Sequence, residues 1–295
     1  MILNNTELKV RPADTNDLVE LNNLLQRKSF VHRHLGWQSP LDWLGFQPFL
    51  VLEDRSGILA ALACPPDEDG ITWLQLFMTA PGFSLYKAWN ELWPQAIGEL
   101  QKSTNITTIN SLVIRPEMNQ LLKTAGFLEL YHVVVLDWDS SNAVWPDING
   151  DQQVRLMENR DLTGVYAVDK LAFDEIWRNS LSQLEAAYKE AFSATVVEIE
   201  GRIEGYQIST ATALNGHLAR LAVNPTYQSH GIGSLLVSDL LERFLDSGFV
   251  EVSVNTQSNN SASLDLYRKF GFHLLNDRFS VRQYPISNPR SRIDQ

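Results

Sequence analysis

HLARLAVNPTYQSHGIGSLLVSDLLERFLDSGF, His217 to Phe249, is the stretch that decides the fold. His217 to Val223 reads as a strand, and Asn224-Pro225 ends it, because proline has no N–H to donate and fixes its own φ. Gln228-Ser229-His230-Gly231-Ile232-Gly233 forms a tight glycine-bearing loop. A helix begins at once, with Leu236, Leu240, Leu241 and Phe244 at helical spacing, and Gly248 fits its C-terminal stop. A strand, a glycine loop and a helix N-terminus in that order make a cradle for phosphate. Glycine lets the backbone approach with no Cβ in the way, and the free N–H groups at the positive helix end stabilise an anion. The reading predicts a diphosphate at the amides of His230 to Ser234. Two other phosphate loops fail on residues that do chemical work. Leu236 stands where a dinucleotide fingerprint wants its third glycine, and Gly231 has no Gly-Lys-Ser/Thr partner of a P-loop.

Outward from the helix, Glu251 to Thr256 reads as a strand and is followed by N-x-x-A-x4-Y-x-x-x-G-F, which is Asn259, Ala262, Tyr267, Gly271 and Phe272. Asn259 and Asn260 are good N-caps for the helix to Phe270. Ala262, Leu266 and Phe270 form its apolar stripe, with Tyr267 just off it, so that the hydroxyl reaches a cleft edge.

With both blocks in this order and spacing, residues 153 to 284 resemble the GNAT superfamily of N-acetyltransferases, and most closely the branch acting on ribosomal proteins and amino acids. The resemblance implies acetyl-CoA as co-substrate. The loop of Gln228, Ser229, His230, Gly231, Ile232, Gly233 and Ser234 would bind the CoA diphosphate. The backbone of Leu221, Ala222 and Val223 would pair with the pantetheine arm as an added strand does, and that strand would splay from Glu251 to Thr256 to admit the acetyl group. Asn259, with Ala262 beside it, would contact the arm, and Tyr267 would protonate the leaving thiolate. Several family members place an acidic base near the start of the strand before the loop. His217 stands there in this chain, and histidine titrates near neutral pH. Strand alternation puts Arg220 on the face opposite His217, Ala219 and Leu221.

Working back toward the N-terminus, the chain repeats itself. V-R-x5-D-L occurs at Val10-Arg11 with Asp17-Leu18 and again at Val154-Arg155 with Asp161-Leu162. Ala125-Gly126-Phe127 matches Phe270-Gly271-Phe272, and the two landmarks are offset by 144 and 145 positions. Asp137 to Asp151, DWDSSNAVWPDINGD, reads as a linker. The expected architecture is α/β, with two tandem GNAT-like domains, each a twisted, mostly antiparallel mixed sheet flanked by helices. The expected boundaries are 1–140, a linker at 141–152, and a CoA-binding catalytic domain at 153–295. Residues 1–140 read as a degenerate copy. Thr79-Ala80-Pro81-Gly82-Phe83 follows the matching strand with no Q-x-x-G-x-G, and no tyrosine precedes Gly126. Five tryptophans of this half, Trp37, Trp43, Trp73, Trp89 and Trp93, are expected in its core.

Composition bounds the rest. A net charge of -11 argues against a nucleic-acid partner and mildly favours a cationic acceptor. A single cysteine, Cys64, allows no intramolecular disulfide and reads as a packed residue. His32-x-His34 lacks a third ligand, so no metal is expected. No apolar run approaches the roughly 20 residues of a membrane span, and the expected location is the cytoplasm. The expectation is therefore transfer of acetyl from acetyl-CoA to a primary amine, on a small molecule or on a protein N-terminus or lysine, by a monomer or homodimer. The competing expectation is an acyl-CoA sensor without turnover.

Overall fold

The repeated V-R-x5-D-L motif builds the same device twice. In the computed structural model, Arg11 grips Asp17 through two nitrogens (2.7 and 2.8 Å) and also reaches Glu53 (2.8 Å). Arg155 grips Asp161 (2.7 and 2.9 Å) and reaches Glu198 (2.6 Å). In both copies the aspartate also accepts an N–H at the turn into the first helix, from Asp14 (2.9 Å) and from Glu158 (2.8 Å). The first strand, the first helix turn and the hairpin are thus tied together twice by bidentate charge-assisted bonds.

The structure describes residues 7–286 except 28–29, 68–69, 104, 149–151 and 214. They form two compact units. Unit 1 comprises the described residues up to Leu130 and those from Ser280 onward, and unit 2 is Tyr131–Phe279. Unit 1 runs β1 (Lys9–Pro12), α1 (Leu18–Gln26), β2 (Phe30–Arg33), β3 (Phe49–Asp54), β4 (Gly57–Ala63), β5 (Leu76–Thr79), α2 (Leu85–Leu100), β6 (Thr108–Val113) and α3 (Pro116–Thr124). Its sheet order is β1-β3-β4-β5-β2. The helix α2 buries Ala88, Trp89, Leu92, Trp93, Ala96 and Leu100 against Leu50, Leu62 and Phe77. Trp43 and Trp73 are also buried, as expected, while Trp37 is half-buried.

Next comes β7 (Leu128–Asp139), and unit 2 continues with β8 (Val154–Leu156), α4 (Leu162–Ala172), α5 (Leu181–Glu190), β9 (Ser193–Ile199), β10 (Arg202–Ala211), β11 (Gly216–Val223), α6 (Ile232–Asp246), β12 (Glu251–Gln257), α7 (Ser261–Lys269) and β13 (His273–Pro285). Its strand order is β13-β7-β12-β11-β10-β9-β8. The helix α6 packs Val237, Leu240, Leu241 and Phe244 on Leu218, Val252, Val254 and Trp138. It lies so close to the sheet that a Cβ on Gly216 would fall 2.6 Å from the Phe244 ring, and one on Gly205 2.7 Å from Ile232.

The compact units do not follow the two sequence halves. Asp137–Asp139, read as the start of a linker, are the end of β7, where Val133–Asp139 pair antiparallel with β12. Trp138 is 0% exposed, and its indole N–H donates to Phe270 O at 3.0 Å. Beyond β7 the chain stays on unit 2, with Ser140 N–H on Val250 O and Val144 N–H on Phe270 O. Residues 149–151 of the expected linker lie outside the described residues. In return, Ser280–Pro285 of β13 pair with β6 of unit 1. Each half therefore lends residues of its last strand to the other unit. An unpaired edge of β12 or β6 would leave backbone N–H and C=O groups without partners.

Candidate functional site

The strand β11 pairs with β10 along its length but with β12 only from Gly216 to Leu218. From Ala219 onward the two part, while Asn255–Gln257 of β12 go on pairing with β7. Asn224 N–H donates to Glu204 O on β10 (2.8 Å). By antiparallel alternation the backbone of Ala222 also turns to β10, and that of Leu221 and Val223 turns to the open gap. Of the three residues expected to meet the pantetheine arm, two thus turn backbone groups to the gap. Val223 O is met by Gln228 Nε2 at 3.1 Å, which braces the loop against the strand.

The loop turns through Ser229 (φ 65°) and Gly231 (φ 87°), with the His230 ring nitrogen Nδ1 2.8 Å from Gln228 O. Left-handed φ is costly for a residue with a Cβ, so Gly231 is the relaxed point and Ser229 the held one. The first bond of α6 is Leu235 N–H to Gly231 O (3.0 Å), and no side chain caps this end. The amides of Ile232, Gly233 and Ser234 are the orphan donors of a helix start. The corresponding helix of unit 1 differs. Ser84 caps α2 by accepting from Lys87 N–H at 3.3 Å.

Tyr267 projects from α7 and is 4% exposed, with its ring 5.5 Å from that of Phe272. Its hydroxyl makes no hydrogen bond to the described residues, and burial pushes the phenol pKa up. The expected stripe is corrected here. Tyr267 is the buried residue of α7, Leu266 is half-buried and Ala262 is exposed. The reason is that α7 packs through its last turn, where Tyr267 and Phe270 enter the core beneath α6. Asn260 accepts from Ser263 N–H at 3.1 Å, while Asn259 is exposed and its side chain makes no hydrogen bond to the described residues.

The far face of the sheet holds His217 and Arg220 together, not apart. The β10 register steps from Ile208↔Arg220 to Ser209↔Leu218, so Ala219 is the extra residue of a β-bulge. Leu218 faces α6, and Arg220 faces α4, where it meets Asp169 (2.6 Å). The bulge reverses the alternation that would have set Arg220 opposite His217. His217 Nδ1 lies 2.9 Å from Ser253 Oγ, directly across on β12 at the last residues before the strands part. Burial holds the His217 pKa below 6.5, partly offset by the Ser253 bond. Asp169, Tyr206 and the segment 173–180 surround Arg220. The sequence reading missed this group, although Asp169 among Val165 and Val168 on the buried face of α4 was a signal.

In unit 1 the corresponding contact among the described residues is an isolated parallel bridge between Trp73, just before β5, and Asn110 of β6. Here β2 lies in the gap, pairing Phe30–Arg33 antiparallel with Thr79–Leu76 on the side away from β4. His32 Nε2 reaches across to Ser111 Oγ of β6 (3.2 Å), and Arg115 lies over the Phe30 ring (5.2 Å). Burial lowers the pKa of His32 to about 3, so it is a neutral packing histidine. Cys64 is buried, as read. Among the described residues no group of three His, Cys, Asp or Glu could hold a metal, and no helix is long and apolar enough to cross a membrane.

Residues 162–272 match the Acetyltransferase (GNAT) family. A mycothiol acetyltransferase from Saccharomonospora viridis is 26% identical over 179 residues, 53% of this chain and 58% of that protein. The chain thus matches little more than half the length of that relative. The [ribosomal protein bS18]-alanine N-acetyltransferase of Escherichia coli K12 is 23% identical over 134 residues, 45% of this chain and 88% of that protein. A solved tandem GNAT protein from the clavulanic acid biosynthesis pathway superposes with a TM-score of 0.65 at 15% identity, covering 95% of this chain and 99% of that one. The fold is that of the tandem GNAT proteins, and it is the second half of this chain, over residues 162–272, that matches the GNAT family of acetyltransferases.

Proposed function

We propose that the chain transfers the acetyl group of acetyl-CoA directly to a primary amine, in the cytoplasm, with unit 2 carrying the chemistry. The observation that carries the reading is the open edge of β11 beside the uncapped start of α6. A diphosphate on the amides of Ile232 to Ser234 and an extended arm along Leu221 and Val223 would satisfy both. The residues present fit the co-substrate, because the loop brings backbone donors, and no carboxylate stands between Gln228 and Ser234 to repel the diphosphate.

The amine nitrogen attacks the thioester carbonyl carbon, forming the C–N bond. As the tetrahedral adduct collapses, the C–S bond breaks. Tyr267 gives its phenolic proton to the departing sulfur, and a raised pKa keeps that proton in place at neutral pH. The ammonium proton passes to His217, directly or through water, since burial keeps that imidazole neutral and able to accept. Asn259, uncommitted at its side chain, is the donor for the arm. The acceptor is a small-molecule amine or a protein N-terminus. The names of the relatives, one acting on mycothiol chemistry and one on a ribosomal-protein alanine, span that range.

Two measurements test this. Calorimetric titration with acetyl-CoA should give one site per chain, and thiol release should appear with some member of an amine panel. Tyr267→Phe should lower kcat by about 10²-fold or more while changing acetyl-CoA affinity little. A loss under about threefold removes Tyr267 from the mechanism. A chain that binds acetyl-CoA but acetylates nothing would be a sensor. The buried phenol with no hydrogen-bond partner among the described residues favours the enzyme.

A further inference from the structure

Asp169 is 0% exposed on the inner face of α4, and both its oxygens are used. Oδ1 accepts Asn179 N–H (2.9 Å). Oδ2 accepts from Arg220 Nε (2.8 Å) and Nη2 (2.6 Å) and from the Tyr206 hydroxyl (2.5 Å). Arg220 in turn donates Nη2–H to Trp177 O (2.6 Å) and lays its guanidinium on the Phe173 ring, 3.6 Å from the centroid. One carboxylate therefore ties the segment between α4 and α5 to β10 and β11 at Phe173, Trp177 and Asn179. The far side of the same segment is fastened too, for the Trp177 indole N–H donates to the Tyr131 hydroxyl at the start of unit 2 in β7.

These two attachments fix where the segment runs. Arg220 stands on β11 and Tyr131 on β7, with β12 between them in the sheet. Trp177 therefore spans from β11 to β7, across the gap where β11 and β12 part, on the face that carries His217. A buried ion pair repays little of its desolvation as net stability. What it supplies is a single geometry, and here the geometry is that of a wall over the gap.

We propose that Asp169, acting through Arg220, is the positioning residue that holds the 173–180 segment as the acceptor-side wall of the slot. This rests on the acetyltransferase reading, in which the acyl group lies in the gap and the amine approaches from the His217 face. Asn in place of Asp169 keeps the shape and one acceptor oxygen but removes the charge that gathers Arg220, Tyr206 and Asn179.

The test is Asp169→Asn in the full chain, read in three ways. The acceptor KM should rise at least tenfold with kcat within threefold. The acetyl-CoA Kd should stay within twofold, because Leu221, Val223 and the α6 amides are untouched. Amide hydrogen exchange over residues 174–180 should quicken while β10 and β11 stay protected. An unchanged acceptor KM despite a freed segment overturns the proposal. So does a loss of acetyl-CoA affinity together with faster exchange throughout β10 and β11, which is general destabilisation. If Asp169→Asn does not fold, Tyr131→Phe releases the other end of the wall without touching the buried charge and should raise the acceptor KM in the same direction. Its failure to do so also overturns the proposal. Exchange needs no turnover, so the two ideas separate. A chain that acetylates no amine loses the function reading, while quickened exchange confined to 174–180 still reports the clamp.

Discussion

At the scale of single residues, the bulge at Ala219 matters most. One extra residue in β11 brings His217 and Arg220 to the same face and so puts the proposed base and the proposed acceptor wall on one side of the slot. Its consequence for pH follows from the direction of the His217 shift. Only the neutral ring accepts a proton, and burial places its titration below 6.5. The rate should therefore carry no His217 limb above pH 6.5 and should fall as pH drops below it. His217→Gln should lower kcat/KM and abolish that acid limb. Comparing both proteins with the same amine cancels the titration of the amine. A limb that persists in the variant belongs to another group. The loop before α6 and the helix that carries Tyr267 were legible in the sequence because the glycine spacing and the Gly-Phe stop are local signals. The face of Arg220 was not legible, because a period-of-two count has no place for an inserted residue.

At the scale of elements, the two repeats use equivalent pieces to opposite ends. The start of α6 is bare and its neighbouring strand edge open, whereas α2 is capped by Ser84 and the edge of β5 is taken by β2. Unit 1 thus supplies its own chain where unit 2 leaves room, and this is the physical reason to expect one acetyl-CoA per chain. Gly233→Asp tests the loop. Its Cβ would lie 3.2 Å from the tip of Leu266, a flexible side chain that can yield, and a carboxylate in the first turn favours the helix. Folding should therefore survive with Tm within a few degrees, while acetyl-CoA affinity should fall by at least a hundredfold. Unchanged affinity would remove the diphosphate from this loop. The absence of Q-x-x-G-x-G in the first half showed from sequence that something was missing there. What fills the slot did not show, because Phe-Val-His-Arg is four residues long and is set by its partner strand, not by its own pattern.

At the scale of the whole molecule, duplication was legible from the offsets of 144 and 145, and the exchange of last strands was not. Strand pairing between distant segments leaves no mark on local periodicity, and the polar run after Trp138 drew the boundary too late for β7. The exchange predicts how fragments behave. Residues 153–295 expressed alone lack Val133–Asp139, so β12 is left as an edge and Trp138 is missing from the core. That fragment should aggregate. Residues 131–279 keep both and should elute as a discrete species that binds acetyl-CoA. Size exclusion followed by titration of the two fragments decides it, and a well-behaved 153–295 would mean the lent strand is dispensable.

The exchange of strands also bears on how such a gene can change. A break at the apparent seam between the copies leaves each product short of a strand that only the other encodes, so neither copy can be lost, swapped or passed on by itself. The first repeat is thereby kept for the strand that it lends, independently of any chemistry of its own.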